Sequence, residues 1–123
     1  MKRLLLFALL LAASPLAAVE RQRTAVTEAR PLLLEALQAA DGQAYGLLTG
    51  AMADAISQRF QSSAPILIDV VTEKRLPQPG CARLKVTFYQ DDVRLPGSAK
   101  ASRQTLEMGL NYCPDGQPPR AQP

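Results

Sequence analysis

The side chains able to carry chemistry in this 123-residue sequence are two cysteines and a few carboxylates. The sequence contains no histidine, which excludes triads and proton shuttles that depend on an imidazole. Cys81 and Cys113 are the only thiols. Without histidine they are too few for a tetrahedral zinc site, so we assign no metal. If the two are joined to each other, no thiolate nucleophile remains; free buried thiols, or half of a metal site, are the alternatives.

The carboxylates are scattered along the chain. Asp91 and Asp92 are adjacent, so they lack the alternating ligands of a calcium loop. No P-loop or dinucleotide fingerprint is present. We therefore assign no catalytic residue and no cofactor. An enzyme would need a pocket that gathers at least two of Asp54, Asp69 and Glu107, whereas an inhibitor would present a rigid protruding loop and no pocket.

The start of the chain has the pattern of a Sec signal peptide. Lys2 and Arg3 precede an apolar run over residues 4–13, and small residues with a proline follow. The run is too short for a membrane span, which needs about 20 apolar residues. We predict a signal peptide over residues 1–18, with cleavage after Ala18; an uncleaved membrane anchor is the alternative. The mature protein is therefore expected to be periplasmic or secreted, with no stable membrane span.

Removal of this signal changes the charge balance. The whole chain has 14 basic and 11 acidic side chains, a net charge of +3, and loss of Lys2 and Arg3 leaves 12 against 11. A nearly neutral protein gives no electrostatic reason to bind nucleic acid. The remaining length predicts one domain over residues 19–113, followed by a disordered proline-rich tail over residues 114–123.

Two alternating segments between the cysteines predict an antiparallel hairpin. Residues 82–90 and 104–112 each alternate apolar and polar side chains, the signature of strands with one buried face. Placing Cys81 opposite Cys113 pairs apolar residues throughout one face. The predicted pairs are Leu84 with Leu110, Val86 with Met108, and Phe88 with Leu106. In an oxidising compartment the cysteines should form a disulfide, which closes a loop of about 33 residues and stabilises the fold by roughly 3.5 kcal/mol.

The segment before the hairpin predicts two helices and one more strand. Helical spacing begins near Thr27 or Arg30, with Pro31 in the first turn and Gly42 at the end. A second amphipathic helix is predicted from about residue 43 to residue 61. The alternative is a loop through Gly46, with Thr49 capping a shorter helix from Gly50.

Residues 66–72 are apolar and β-branched, which predicts a strand that pairs with the first strand of the hairpin. The expected partners are Ile68 with Phe88, Val70 with Val86, and Glu73 with Arg83. The predicted fold is thus α+β: two N-terminal helices packed on a three-stranded antiparallel meander with one disulfide.

Three segments resemble small exported proteins encoded among the conjugative-transfer (type IV secretion) genes of Gram-negative bacteria. They are residues 41–50, 80–88 and 110–116. The resemblance implies a location and a context, and no catalytic or binding residue. We expect a periplasmic protein-interaction module, an accessory component of a conjugation or type IV secretion apparatus whose partner is another envelope or periplasmic protein. A small exported enzyme or inhibitor, or a small-ligand binding protein, is the alternative.

The predicted contact surface combines the hairpin loop, the glycine-rich segment before the second helix, and the outer face of the sheet. The residues assigned to it are Asp91, Asp92, Arg94, Lys100, Arg103, Gly46 and Gly50.

Overall fold

The computed structural model describes residues 22–120, which form one five-stranded mixed sheet and two short helices. The elements in chain order are β1 (Thr24–Val26), α1 (Arg30–Gln38), β2 (Gln43–Leu48), α2 (Ala51–Arg59), β3 (Ile66–Arg75), β4 (Ala82–Val93) and β5 (Ser102–Tyr112). The strands lie side by side in sequence order, with β1 parallel to β2 and all other neighbours antiparallel. The predicted signal peptide lies outside the described residues.

The prediction of two N-terminal helices on a three-stranded meander is wrong, because β1 precedes both helices and β2 separates them. Gln43–Leu48, predicted to be the start of the second helix, forms a strand whose alternate residues Ala44, Gly46 and Leu48 are buried. Two of these residues are small, so the period-two signal was weak. The alternative of a shorter helix is closer, since α2 begins at Ala51. Its N-cap is Gly50, at a φ of 91°, and Thr49 donates its hydroxyl to the carbonyl of Val26 instead of capping the helix.

The β3–β4–β5 part of the prediction is confirmed in its pairing. Leu84 lies opposite Leu110, Val86 opposite Met108, and Phe88 opposite Leu106. The partners predicted for Ile68 and Val70 on β3 are also observed. The expected Glu73–Arg83 pair is wrong, because the register shifts between Thr72 and Lys74 and brings Lys74 opposite Arg83.

The sheet has two distinct faces. Between the register shifts, paired residues share the same parity, so the even-numbered side chains in these parts of β2 to β5 point to one face, here called the core face, and the odd-numbered ones to the other, the open face. The core face includes Ile68, Val70, Leu84 and Val86, all at most 2% exposed. Both helices pack on this face. Leu32 of α1 lies against Gly46, and Ile56 of α2 packs against the core.

The predicted disulfide is confirmed. Cys81 and Cys113 are joined with an S–S distance of 1.97 Å, and both are buried. They flank the hairpin immediately outside β4 and β5. Such a bond fits an extracellular or periplasmic protein, because disulfides persist in oxidising compartments.

Neither helix in residues 22–120 has the length and apolarity needed to cross a membrane.

The segment after the disulfide makes two hydrogen bonds that bear on its path. The amide of Gly116 donates to the carbonyl of Cys113 at 2.9 Å, and the predicted disorder from Pro114 onwards stays a prediction. Further on, the amide of Arg120 donates to the side-chain oxygen of Gln78 at 2.8 Å. The predicted tail beyond these contacts, residues 121–123, lies outside the described residues.

Candidate docking groove

An open apolar groove of about 620 Å³ lies on the core face, between α2 and the β4–β5 hairpin. Met52, Ile56 and Phe60 recur at four-residue steps and so line one wall from the same side of α2 and its C-cap. The opposite side is formed by Phe88 of β4 and by Leu106 and Met108 of β5. The groove exists because neither helix, within the described chain, extends far enough to bury these β5 side chains.

The exposed large apolar side chains of residues 22–120 are concentrated in this groove. They are Met52 (61% exposed), Leu106 (59%), Met108 (44%) and Leu95 (39%), and all four line it. Single exposed apolar residues are ordinary on protein surfaces, but a contiguous group marks a site of interaction. The two methionines add a flexible, polarisable surface that adapts to different partners.

Of the polar side chains that line the groove, which include Glu28, Gln104 and Thr105, Gln90 is the buried one, and it is already satisfied. Gln90 is 5% exposed, and its amide nitrogen donates to the hydroxyl of Ser57 at 3.1 Å and to the carbonyl of Ala64 at 2.9 Å. These bonds join β4 to α2 and to the segment that follows it. The groove therefore offers shape and apolar contact to an occupant, and Gln90 holds its wall in place.

The open face carries a different arrangement, built around Arg23. Its guanidinium donates to a carboxylate oxygen of Asp69 on β3 at 2.8 Å and to the hydroxyl of Tyr89 on β4 at 2.6 Å. It also lies 5.8 Å from the ring centroid of Tyr45 on β2. Arg23 directly precedes the edge strand β1, and its side chain thus contacts residues of β2, β3 and β4. We assign this cluster to stability, since its charged groups are bonded to each other.

A second ion pair lies further along the open face. Arg103 of β5 donates through Nε to Asp91 at 2.6 Å and through Nη2 at 3.1 Å, and its guanidinium lies 5.0 Å from the ring of Tyr89. The hydrogen bond from Arg103, together with its positive charge, holds the pKa of Asp91 below its usual value. The same bond raises the pKa of Arg103.

The residues predicted as a contact surface lie on several different elements of the fold. Asp92, at a φ of 55°, lies where the β4–β5 register shifts, next to the Asp91–Arg103 pair. Arg94 and Lys100 are exposed in the loop between the two strands. Gly50 is exposed at the start of α2.

Gly46 is placed differently from the other predicted contact residues. It is buried in β2, and a Cβ built on it would lie 2.2 Å from a methyl carbon of Leu32. Its role is therefore to let α1 approach the sheet. The use of the remaining loop residues as a contact surface stays a prediction.

The carboxylates considered for catalysis are separated. Asp69 is bonded to Arg23 on the open face, Glu107 is exposed opposite Thr87, and Asp54 is exposed on α2. None of the three lines the groove. Within residues 22–120, no group of three or more acidic or cysteine side chains is placed to hold a metal ion.

Comparison of the chain with family models, with curated proteins and with solved structures gives no match.

The sequence pattern does not predict the groove. Leu106, Met108 and Phe88 were expected to be core residues, and the helical stripe through Met52 was expected to lie on the sheet. The alternation identified the shared face correctly. It carried no information on whether another element covers that face.

Proposed function

We propose that the protein is an exported interaction module that binds apolar side chains of another envelope protein in the groove between α2 and β5. The observation that carries this proposal is the gathering of Met52, Leu95, Leu106 and Met108, all exposed, in one concave surface. Complete burial of one such side chain contributes roughly 1.5–3 kcal/mol. These side chains are about half exposed, so each has about 1 kcal/mol left to gain from a partner.

The proposed context is a conjugation or type IV secretion apparatus, in which the protein acts as an accessory component. The support for this context is the resemblance of residues 41–50, 80–88 and 110–116 to exported proteins encoded with such systems. The disulfide supports the envelope location, because the periplasm is an oxidising compartment.

Site-specific photo-crosslinking in cells that carry the complete transfer gene cluster tests this proposal. A photoreactive residue at Met108 lies in the groove, whereas one at Asn111, on the same strand, is exposed, does not line the groove and serves as the control. We expect Met108 to crosslink to a defined envelope component and Asn111 not to do so. The crosslink should disappear when Leu106→Gln, on the same face, is added.

Crosslinking at both positions alike, or at neither, would contradict the use of the groove. Capture of an envelope protein from outside the transfer system would support the groove and refute the proposed context.

Binding of a small apolar ligand is a second candidate. It is favoured by the volume of about 620 Å³, within the range of about 300–1,000 Å³ typical of small-molecule sites, and by the satisfied hydrogen bonds of Gln90. A fatty acid supplied at a hundred times its dissociation constant should stabilise the protein by about 2.7 kcal/mol. Thermal unfolding with and without fatty acid, compared between the wild type and Met108→Gln, decides this candidate: equal responses refute it.

A further inference from the structure

Strand β5 forms a long edge of the sheet that has no strand partner on its outer side within residues 22–120. The other edge, β1, has three residues, whereas β5 has 11. The β4–β5 register is continuous from Gln104 to Tyr112. Natural edges are often protected by proline, lysine or a bulge. The β5 sequence contains neither proline nor lysine. The one register shift with β4, between Gln90 and Val93, places the extra residue on β4, so β5 itself carries no bulge.

The charges of β5 are arranged so that the strand complements itself. Arg103 and Glu107 are its only charged residues, and both belong to the open face. Thr105 lies midway between them. If two β5 strands pair antiparallel around a two-fold axis at Thr105, each Arg103 lies opposite Glu107 of the second copy, and this pair occurs twice. Opposite charges facing each other across strands stabilise a sheet, and a central threonine pair is also favourable.

The existing bond of Arg103 is compatible with this pairing. Asp91 accepts from Nε and Nη2 of Arg103, so the N–H groups of Nη1 are not used in that ion pair. A guanidinium has five N–H donors, enough for both carboxylates.

The same register also brings apolar side chains together on the core face. Leu106 would lie diagonal to Leu106 of the second copy, within reach for a long side chain. Leu106 is 59% exposed in the monomer, so the contact removes apolar surface from water. Centring the axis on Glu107 instead would place two carboxylates directly opposite, which is unfavourable.

We propose that two copies of this chain associate through β5, antiparallel and centred on Thr105, to form a continuous ten-stranded sheet. The two apolar grooves then lie on the same face, on either side of the two-fold axis. The ladder involves residues 102–108 of each copy. It is smaller than a standard interface of about 1,200–2,000 Å², so the dimer is weak and reversible.

Sedimentation of the mature protein over a wide dilution series, at low salt, tests this pairing. We expect a concentration-dependent monomer–dimer equilibrium. Arg103→Glu and Glu107→Arg should each weaken dimerisation by about tenfold, because each places like charges opposite one another twice. The double variant Arg103→Glu/Glu107→Arg restores both intermolecular pairs with reversed polarity and should dimerise more tightly than either single variant, although it loses the ion pair with Asp91 within each copy. Arg83→Glu, a charge reversal on β4 outside the ladder, is the matched control.

A monomer at every concentration overturns the proposal. So does a dimer that ignores both single reversals, or a double variant that stays as weak as either single one. Independent confirmation comes from Thr105→Cys, which should form a disulfide-linked dimer under oxidation, whereas Asn111→Cys should not. The pairing does not depend on the proposed function. Sedimentation detects the dimer without any partner protein, and the crosslink from Met108 to another protein does not require a dimer, so the two proposals can fail separately.

Discussion

Substitution of Gly46 by alanine tests how tightly α1 packs on the sheet. Gly46 lies in the middle of β2, opposite Ile68, with Leu32 of α1 directly above it. An added Cβ would lie 2.2 Å from one methyl carbon of Leu32, 3.0 Å from the other and 3.1 Å from Cγ. Ordinary contacts begin at 3.4 Å, so the first methyl must move by more than 1 Å.

The expected cost follows from the burial of Leu32. This side chain is 0% exposed, so it can move only by displacing its neighbours. Overpacking of this kind costs about 1–3 kcal/mol. Alanine loses less conformational entropy on folding than glycine does. This difference offsets about 0.5–1 kcal/mol of the cost. The two contributions together span about 0–2.5 kcal/mol, and we expect Gly46→Ala to lower the free energy of unfolding by about 1 kcal/mol.

A double-mutant cycle isolates the contact. Leu32→Ala alone should cost about 2–5 kcal/mol. It also removes the three carbon atoms nearest the new Cβ, so in this background Gly46→Ala should be neutral or slightly stabilising. Guanidinium unfolding followed by circular dichroism measures each free energy, because the chain has no tryptophan. The matched control is Gly109→Ala, whose Cβ would approach the guanidinium at the end of the long, exposed side chain of Arg83 and should cost little.

The reasoning is refuted if the two substitutions are additive within about 0.5 kcal/mol, since residues in direct contact must couple. It is also refuted if Gly109→Ala costs as much as Gly46→Ala, because the loss would then reflect a general intolerance of alanine in the sheet.

Three further outcomes are expected. Replacing Cys81 and Cys113 by alanine should lower the free energy of unfolding by about 3.5 kcal/mol in denaturant titrations, with the reduced wild type matching the variant. Arg23→Ala should cost about 1–2 kcal/mol in the same assay, since it removes charge-assisted hydrogen bonds to two strands, whereas an equally stable variant contradicts the role given to this residue. The pKa of Asp91 lies below its ordinary value of 3.8 in the folded protein because of its hydrogen bond with Arg103. The resulting stabilisation is therefore present above that value and is lost as the pH falls through the folded-state pKa. An NMR titration should show a higher Asp91 pKa in Arg103→Gln, and an unchanged value would exclude the ion pair in solution.

The β4–β5 hairpin was predictable because several independent signals agree on it. Both strands are long and alternate regularly, and the cysteines at their ends fix the register. A slip by one residue would move every apolar side chain to the other face, so few arrangements satisfy the pattern. The β3 partners followed from the same alternation until the register shift after Thr72, which no local signal marks.

The first half of the fold was not predictable by the same reasoning. β1 has three residues and is held by pairing with β2, so its structure depends on distant neighbours. In β2, the buried positions Ala44 and Gly46 are small, and the helix-like spacing of Tyr45, Leu48 and Met52 runs across a strand and a helix. Gln43–Leu48 forms a strand and not a helix because its pairing with β3 extends the sheet and because Gly46 leaves room for α1 to pack on it.

The groove is present because the helices are short relative to the width of the sheet. A pattern of residues does not show how these two lengths compare. Each helix has nine residues and is about 13 Å long, whereas five strands spaced about 4.8 Å apart span about 19 Å between the outer two. α1 packs on β2 and β3, and Ser57 of α2 accepts a hydrogen bond from Gln90 of β4, while Leu106 and Met108 of β5 stay exposed. The number of strands, on which this outcome depends, is not contained in the local residue pattern.

The hydrogen bonds of Arg23 with Asp69 and Tyr89 limit the order in which the domain can fold. A ribosome makes Arg23 long before Asp69 and Tyr89, its partners on β3 and β4. The beginning of the domain therefore cannot reach its final anchorage until most of the chain has been synthesised and the middle of the sheet has assembled. Cys113 comes later in the chain than Arg23 and both of its partners, so the hairpin cannot be closed covalently before these three residues have been made.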